Sequence, residues 1–569
     1  VIGRGREMKR SNLFITVAGV SFAFCVTSIA YADTPFLRQE QLQEQKIQHA
    51  ISASRSTAQL TKPIAFEQAV EVDPSIQDLS STAFFVREIV VDDNLEEFSF
   101  LEDMTASYTN QEITLAEAAK LLAAMNQKLS DKGYVTSRVV IPEQNVASGL
   151  FHLKLLAGRM GRVVYAEGCK AVTWRNAFPI HEGDLLNVYL LEQGVEQMRK
   201  VASQDVSMQI LPANAAGVSD VELTTYAGKQ LSGSLSVDNA GLAETGKYQW
   251  TLTTGIDRFF HANDQLQFSF SLDGSRDGSE KGTRNLSFSY SIPRGKDTLT
   301  FRHDRYRYHQ TVRSIPYDFI SQGKTSVSRL MLDHLISRNR MEKRSWDLAV
   351  IKRDSHTFLN DMEIPVQRLD RTALEIGLSD QLRLGNSSLY LRLAHRQGMG
   401  WLGAQEENEY SDASKSRYKL WLFDADWYKP LTLGHRPASF SASFHGQWNT
   451  AGKRLYGIDQ ISIGNSYTVR GFDGEYTLMG ESGWYLRNEL SSRIPSLHSD
   501  VYVGVDVGSV YGVSTESLVG HTIAGLTIGL RGHLPSHISY DASISRALYH
   551  PEGYHTQKWV PSFSMSWHF

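Results

Sequence analysis

A chain of 569 residues exceeds the size at which a single hydrophobic core stops growing, so it divides into several units. Its formal net charge of −4 and pI near 6.6 lack the basic excess expected of a protein whose partner is a nucleic acid. Mean hydropathy is −0.30, and the one long apolar run lies near the N-terminus, so nothing beyond it reads as a membrane-spanning helix.

Residues 1–32 read as an over-extended start (1–7) followed by a signal peptide. Met8-Lys9-Arg10 is its basic region, Leu13 to Val26 its apolar region, and Ala30-Tyr31-Ala32 its cleavage site, with Asp33 beginning the mature chain. The apolar run is short for a membrane anchor. Phe24 precedes Cys25 where a lipoprotein signal needs a small residue. After cleavage only Cys169 remains, and a lone thiol makes no internal disulfide in an oxidising compartment. Export without disulfides or a membrane-spanning helix leaves a soluble periplasmic protein or an outer-membrane barrel.

Residues 33–54 predict a helix. From Leu37 to Ser54 it carries Gln39, Gln41, Gln43, Gln45 and Gln48 and only a sparse apolar stripe. A helix polar nearly all round needs water or a polar wall around it. It is either free in the periplasm or a plug in a polar barrel lumen. Residues 55–81, with Pro63 and Pro74, read as a linker.

Two copies of a small α+β unit follow, at 82–160 and 161–229. In the first, a strand around Phe85 to Val91 precedes a helix opened by a Thr114/Glu117 capping box, with Leu115, Leu122, Met125 and Leu129 inward. Gly133 ends the helix, and strands Tyr134 to Ile141 and Leu150 to Leu156 complete the unit. In the second, Val163 to Tyr165 leads to a helix after Asn187 with Leu191, Val195 and Met198 inward. Strands Val206 to Leu211 and Val221 to Thr225 close it. Such units are either spacers or exposed sheet edges able to bind an extended polypeptide.

From residue 230 to 569 a dyad pattern recurs. Leu266, Phe268, Phe270 and Leu272 alternate with polar neighbours, as do Leu389, Leu391 and Leu393, and Val501, Val503, Val505 and Val507. The last strand is the clearest case. Phe563, Met565, Trp567 and Phe569 share one face, and Ser562, Ser564, Ser566 and His568 the other. Turn signals such as Pro293 to Asp297 and Gly385-Asn386-Ser387 join some strands tightly, while other joints are long and polar. A β-sandwich shares the alternation, but repeated strands with short turns on one rim and long loops on the other predict a barrel. A solenoid needs a fixed short period, which is missing. The predicted fold is membrane all-β: a 16-stranded antiparallel transmembrane β-barrel preceded by two small α+β domains and an N-terminal helix.

The sequence offers no catalytic residues, metal-ligand set or cofactor motif, so no enzyme is expected. His303 and His309 are read as solvated residues of a Tyr/Arg-rich loop, and Glu406-Glu407 as a solvated loop pair.

The arrangement resembles the two-partner secretion translocators of the hemolysin secretion/activation (ShlB/FhaC/HecB) family, and the small units resemble its POTRA domains. Matching residues are Gly133-Tyr134-Val135-Thr136-Ser137-Arg138 with Ile141-Pro142-Glu143-Gln144 in the first unit. In the second they are Leu191-Glu192-Gln193-Gly194-Val195-Glu196-Gln197-Met198 and Gly217-Val218-Ser219-Asp220-Val221. Asp238-Asn239-Ala240-Gly241 resembles the first barrel hairpin. Val469-Arg470-Gly471-Phe472 matches the motif that this family and BamA-type assembly barrels carry on a loop folded into the lumen. The resemblance implies that Arg470 pairs with an acidic residue of the inner wall, matched here by Asp506 in Val503 to Gly508. Alternation independently turns Asp506 inward if the valines face lipid. Phe84 departs from the cysteine many relatives carry there.

The expected function is an outer-membrane translocator with periplasmic N-terminal domains, exporting a large secreted passenger. Outer-membrane lipid and the barrel-assembly machinery that inserts it are its other partners, and nucleic acid is not among them. The alternatives are a BamA-type insertase, which typically has more periplasmic modules, and a small-solute porin, which would need none. A membrane-embedded hydrolase lacks a catalytic constellation. The passenger, whether cytolysin, adhesin or contact-dependent toxin, is not legible.

Overall fold

A computed structural model of the chain describes residues 35–57, 83–169, 172–274, 278, 280–313, 317–407, 410 and 413–569. The expected signal peptide, and the expected linker beyond residue 57, lie outside the described residues.

The first periplasmic unit is built on the helix Leu115–Asp131. The Thr114 hydroxyl accepts from the Glu117 amide at 3.2 Å, and the Glu117 carboxylate accepts from the Thr114 amide at 2.7 Å, so the capping box is reciprocal. Its core face carries Ala118, Leu121, Met125 and Leu129, spaced by three or four residues. Leu122 packs at the margin and Leu115 is only half-buried, so the buried stripe lies slightly round the helix from the expected one. This face covers a sheet with Leu150–Leu156 at its centre, parallel to Glu88–Asp92 and antiparallel to Arg138–Val140.

The second unit repeats that plan. Val218–Ala227 is central, parallel to Arg159–Tyr165 and antiparallel to Gln204–Pro212, and the helix Val188–Arg199 packs over it through Leu191, Val195 and Met198. The two units meet at Gly133. It holds φ +91°, and a Cβ there would fall 2.6 Å from the Tyr189 ring. Val188 N–H donates to Gly133 O at 2.9 Å, and Tyr189 OH to Asp131 O at 3.1 Å.

Sixteen long antiparallel strands close into a barrel. The last, Val560–His568, pairs with the first, Leu231–Asp238, with Trp567 opposite Leu235 and Ser564 opposite Asp238. Phe569 carries the seam one residue further: its N–H donates to Gly233 O at 2.9 Å, and its carbonyl accepts from Gly233 N–H at 3.0 Å. The short turns at Gly295, Gly385 and Gly434 share the rim that meets the second unit, where Gly295 N–H donates to Asn176 O at 2.7 Å. Long connections leave the opposite rim. Large apolar side chains stand exposed on the outer face, as lipid contact requires.

Strands far from the seam outgrow the bilayer: Phe319–Arg338 has 20 residues, where about 9–11 cross it. His303 and His309 lie in the strand Asp297–Val312, not in a loop. They share its outer face with Arg305 and Arg307, and alternate with inward Asp304, Tyr306 and Tyr308. Polar residues on both faces hid the strand, because a wall standing beyond the lipid has no apolar outer face. Glu407 is likewise built into its loop, accepting from the amides of Ser416 at 3.3 Å and Arg417 at 2.6 Å.

Candidate functional site

The barrel lumen is occupied by two elements. The first is the helix Pro35–Thr57, three residues longer than expected at its C-terminal end. Twenty-three residues rise about 35 Å, matching a hydrocarbon core of about 30 Å. Its side chains bond to strands all around the wall, which only a position inside permits. Lys46 pairs with Asp238 at 2.9 Å beside the seam, and Ser52 donates to Asp426 at 2.5 Å. Glu40 accepts from Thr325 and from Ser355, the latter at 3.3 Å. The glutamines fit this setting because an amide donates and accepts without carrying charge.

The second element is the long connection between Arg436–Asn449 and Ser482–Ile494, which folds back into the lumen. Ile461–Ile463 and Leu478–Gly480 pair in it as a small hairpin. Buried Ile461, Ile463, Val469, Phe472 and Leu478 form an apolar cluster with Val510 and Ile523 of the wall and with Tyr554. Helix and loop also interlock. Gln41 donates to Gly457 O at 2.8 Å and Gln45 to Ser462 O at 2.9 Å, while Asn465 donates to the Gln45 side-chain oxygen at 2.6 Å.

At the tip of the loop, Arg470 reaches the wall. Its Nε and Nη2 donate to the two Asp506 carboxylate oxygens at 2.7 and 2.8 Å, the planar fork a guanidinium offers a carboxylate. The Arg470 amide also donates to Asp506, at 3.0 Å. Nη1 donates to Glu489 at 2.8 Å and Nη2 to Asn488 O at 3.2 Å. Asp506 is fully buried and Arg470 is 8 % exposed. Two glycines admit this packing. Gly471 adopts φ +109°, and a Cβ there would fall 2.6 Å from Arg546 O. A Cβ at wall residue Gly504 would lie 2.3 Å from the Arg470 guanidinium. Val503 and Val505 face outward, so Asp506 faces inward by alternation.

Of the expected site residues, Val469, Arg470, Gly471, Phe472 and Asp506 therefore come together in the lumen. Phe563, Met565, Trp567 and Phe569 lie apart from them, outward along the seam, with the Trp567 and Phe569 rings 5.0 Å apart. Glu489, to which the sequence assigns no role, accepts from Arg470 Nη1 and also pairs with Arg531. The signal was present: Leu486 and Leu490 flank it at outward spacing, which turns Glu489 inward.

Comparison with known proteins follows the same division of the chain. Residues 217–532 match the family described as haemolysin secretion/activation protein ShlB/FhaC/HecB. Residues 84–158 match the ShlB-type POTRA domain and 159–212 a POTRA domain. The chain is 33% identical over 479 residues to the outer membrane transporter CdiB-2 of Burkholderia pseudomallei strain 1026b, covering 84% of this chain and 82% of that one. It is 29% identical over 432 residues to the outer membrane transporter CdiB of Dickeya dadantii strain 3937, covering 75% and 76%. The solved structure of CdiB from Acinetobacter baumannii superposes with a TM-score of 0.83 at 28% identity, covering 95% of this chain and 100% of that one.

Proposed function

The chain belongs to the haemolysin secretion/activation (ShlB/FhaC/HecB) family, and from that membership we propose how its parts divide the work of two-partner secretion. It is an outer-membrane transporter with its POTRA domains in the periplasm, and such transporters work with a large secreted partner protein. In our reading the two units capture the unfolded passenger by strand addition at their free sheet edges. The helix Pro35–Thr57 is a resident plug that leaves the lumen when the passenger enters. The Arg470–Asp506 fork, with Glu489 behind it, locks the loop to the wall in a secretion-competent position. Phe563, Met565, Trp567 and Phe569 present the terminal strand to lipid and to the machinery that assembles barrels. Nothing in this scheme is catalytic and no nucleic acid takes part; folding of the passenger outside supplies direction.

One observation carries the reading. The lumen is filled by a helix held through side chains rather than by sheet pairing, so it can leave while every strand of the wall stays paired. The test is loss of the gene in its own host, followed by comparison of secreted and outer-membrane proteins. Disappearance of one large secreted protein, restored by the intact chain, is the expected result. A general fall in other outer-membrane barrels would instead support an insertase, and an unchanged secreted set would reject the translocator.

A further inference from the structure

The lumen wall carries arginines on five adjacent strands: Arg302, Arg329, Arg353, Arg371 and Arg396. Arg302 stands directly across from Arg329, and Arg353 from Arg371. Like charges in opposed positions destabilise a sheet, so their clustering calls for a use. Three of the five have carboxylates outside the helix: Arg302 pairs with Asp304 at 2.8 Å, Arg396 with Glu375 at 2.6 Å, and Arg371 with Asp459. The other two meet carboxylates of the helix, and Arg329 also faces Glu375, which Arg392 and Arg396 share. Arg353 lies 3.6 Å from Glu40 and 3.7 Å from Glu44, and Arg329 lies 3.9 Å from Glu44. Glu40 and Glu44 are one turn apart, where like charges disfavour an isolated helix, so their placement suits the wall rather than the helix itself.

We propose that Arg329 and Arg353 form a carboxylate-receiving station in the lumen, held at rest by Glu40 and Glu44 and taken over by acidic side chains of the exported polypeptide. The inference rests on the reading of the helix as a plug that withdraws. When the helix leaves, Arg353 loses the two carboxylates that face it, and Arg329 keeps only Glu375, which Arg392 and Arg396 already hold. The wall then has an excess of guanidinium over carboxylate at one depth of the passage. The occupant that fits is an unfolded polypeptide bearing Asp or Glu, because the helix already presents that chemistry on a peptide backbone.

The test uses the full barrel in planar bilayers. Removal of residues 35–57 should raise conductance, and because it also frees Asp238 and Glu244 from Lys46 and Arg38, the station is read within the helix-less barrel. There Arg329→Gln with Arg353→Gln should shift selectivity toward cations, whereas Lys at both positions should leave it unchanged. An unfolded Gly/Ser peptide with interspersed Glu, added on the periplasmic side, should block the helix-less channel at a roughly tenfold lower concentration than its Gln counterpart. Equal block by the two peptides, or a preference that survives the double Gln variant, overturns the station. Unchanged conductance on helix removal overturns the plug itself and the station with it, so the two failures are told apart. Should the Gln pair fail to assemble, the full chain carrying Glu40→Gln and Glu44→Gln leaves the wall untouched. More frequent opening supports the proposal, and an unaltered opening frequency overturns it.

Discussion

Arg470 shows what one side chain can do at the boundary between a loop and a wall. Its guanidinium holds Asp506 through a fork and Glu489 through a third donor, with little water around either Asp506 or Arg470 itself. Arg470→Ala leaves a buried carboxylate without its cation, and breaking such a pair costs about 3–5 kcal/mol. The loss should fall on the loop's position, since the wall strands keep their ladder. The expected outcome is passenger secretion reduced on the order of tenfold or more. Barrel abundance in the outer membrane should stay near normal, both read by immunoblot. Arg470→Lys should restore only part of it, because an ammonium is a point charge and cannot span both carboxylates in plane. Full secretion by Arg470→Ala at normal abundance would reject the lock. The inward face of Asp506 was legible from the valines around it, because alternation in a membrane strand fixes side. Glu489 was equally inward by alternation. Its role was not legible, because a role depends on a partner that only the folded loop supplies.

Among the elements, the helix Pro35–Thr57 was legible as helical and polar, and its Gln content pointed to a polar surrounding. What it touches was not legible. Lys46 meets Asp238, 192 residues away, and Gln45 meets Ser462, 417 away, so no local pattern encodes either bond. Removal of residues 35–57 should raise single-channel conductance several-fold in planar bilayers, and unchanged conductance would leave a freely tethered helix. The loop should respond as well, because Gln41 and Gln45 bond its backbone and Asn465 bonds Gln45. Hydrogen exchange of the 457–465 amides should therefore be faster in the helix-less barrel. The strand Gln204–Pro212 belongs to this scale too. Among the described residues it pairs on one side only, with Val218–Ala227, and ends its sheet. Its start is bonded to the barrel through Gln204 and Asn263, so proline at an outward-pointing amide beyond Asp205 removes a donor from the open edge while sparing that contact. Passenger binding should weaken while barrel assembly persists, measured by pull-down against outer-membrane yield. Undiminished binding would take the capture role away from this edge.

At the scale of the whole molecule, export requires that whatever the modules hold be delivered to the lumen, which depends on how the second module is fastened to the barrel. The periodicities of helix and strand made each body legible, but this joint was not, since it is made of polar contacts between bodies of unlike pattern. Asn176 donates to Pro293 O at 2.9 Å and accepts from Gly295 N–H at 2.7 Å. Gln197 reaches the Thr298 hydroxyl at 3.1 Å. Glu196 is gripped by both Arg338 and Lys343 at the foot of the wall. Burial alone would raise the Glu196 carboxyl, but Lys343 and Arg338 beside it outweigh that and hold it well below the usual carboxylate range. A carboxyl depressed in the folded protein contributes stability that is complete above its unfolded value, near 4.5, and is lost as pH falls toward the folded value. The joint should therefore be tight at neutral pH and loosen progressively below about pH 4.5. Distances between spin labels on the second module and on the periplasmic rim should be narrow at pH 7 and broaden in acid. Glu196→Gln removes the charge at every pH, so its distances should be broad already at pH 7 and largely lose the acid response. Narrow distances in Glu196→Gln at pH 7 would mean that the remaining bonds of the joint, among them those of Asn176, Gln197, Lys200 and Gln204, hold the module without it, and the glutamate would then be a consequence of the joint rather than its fastening.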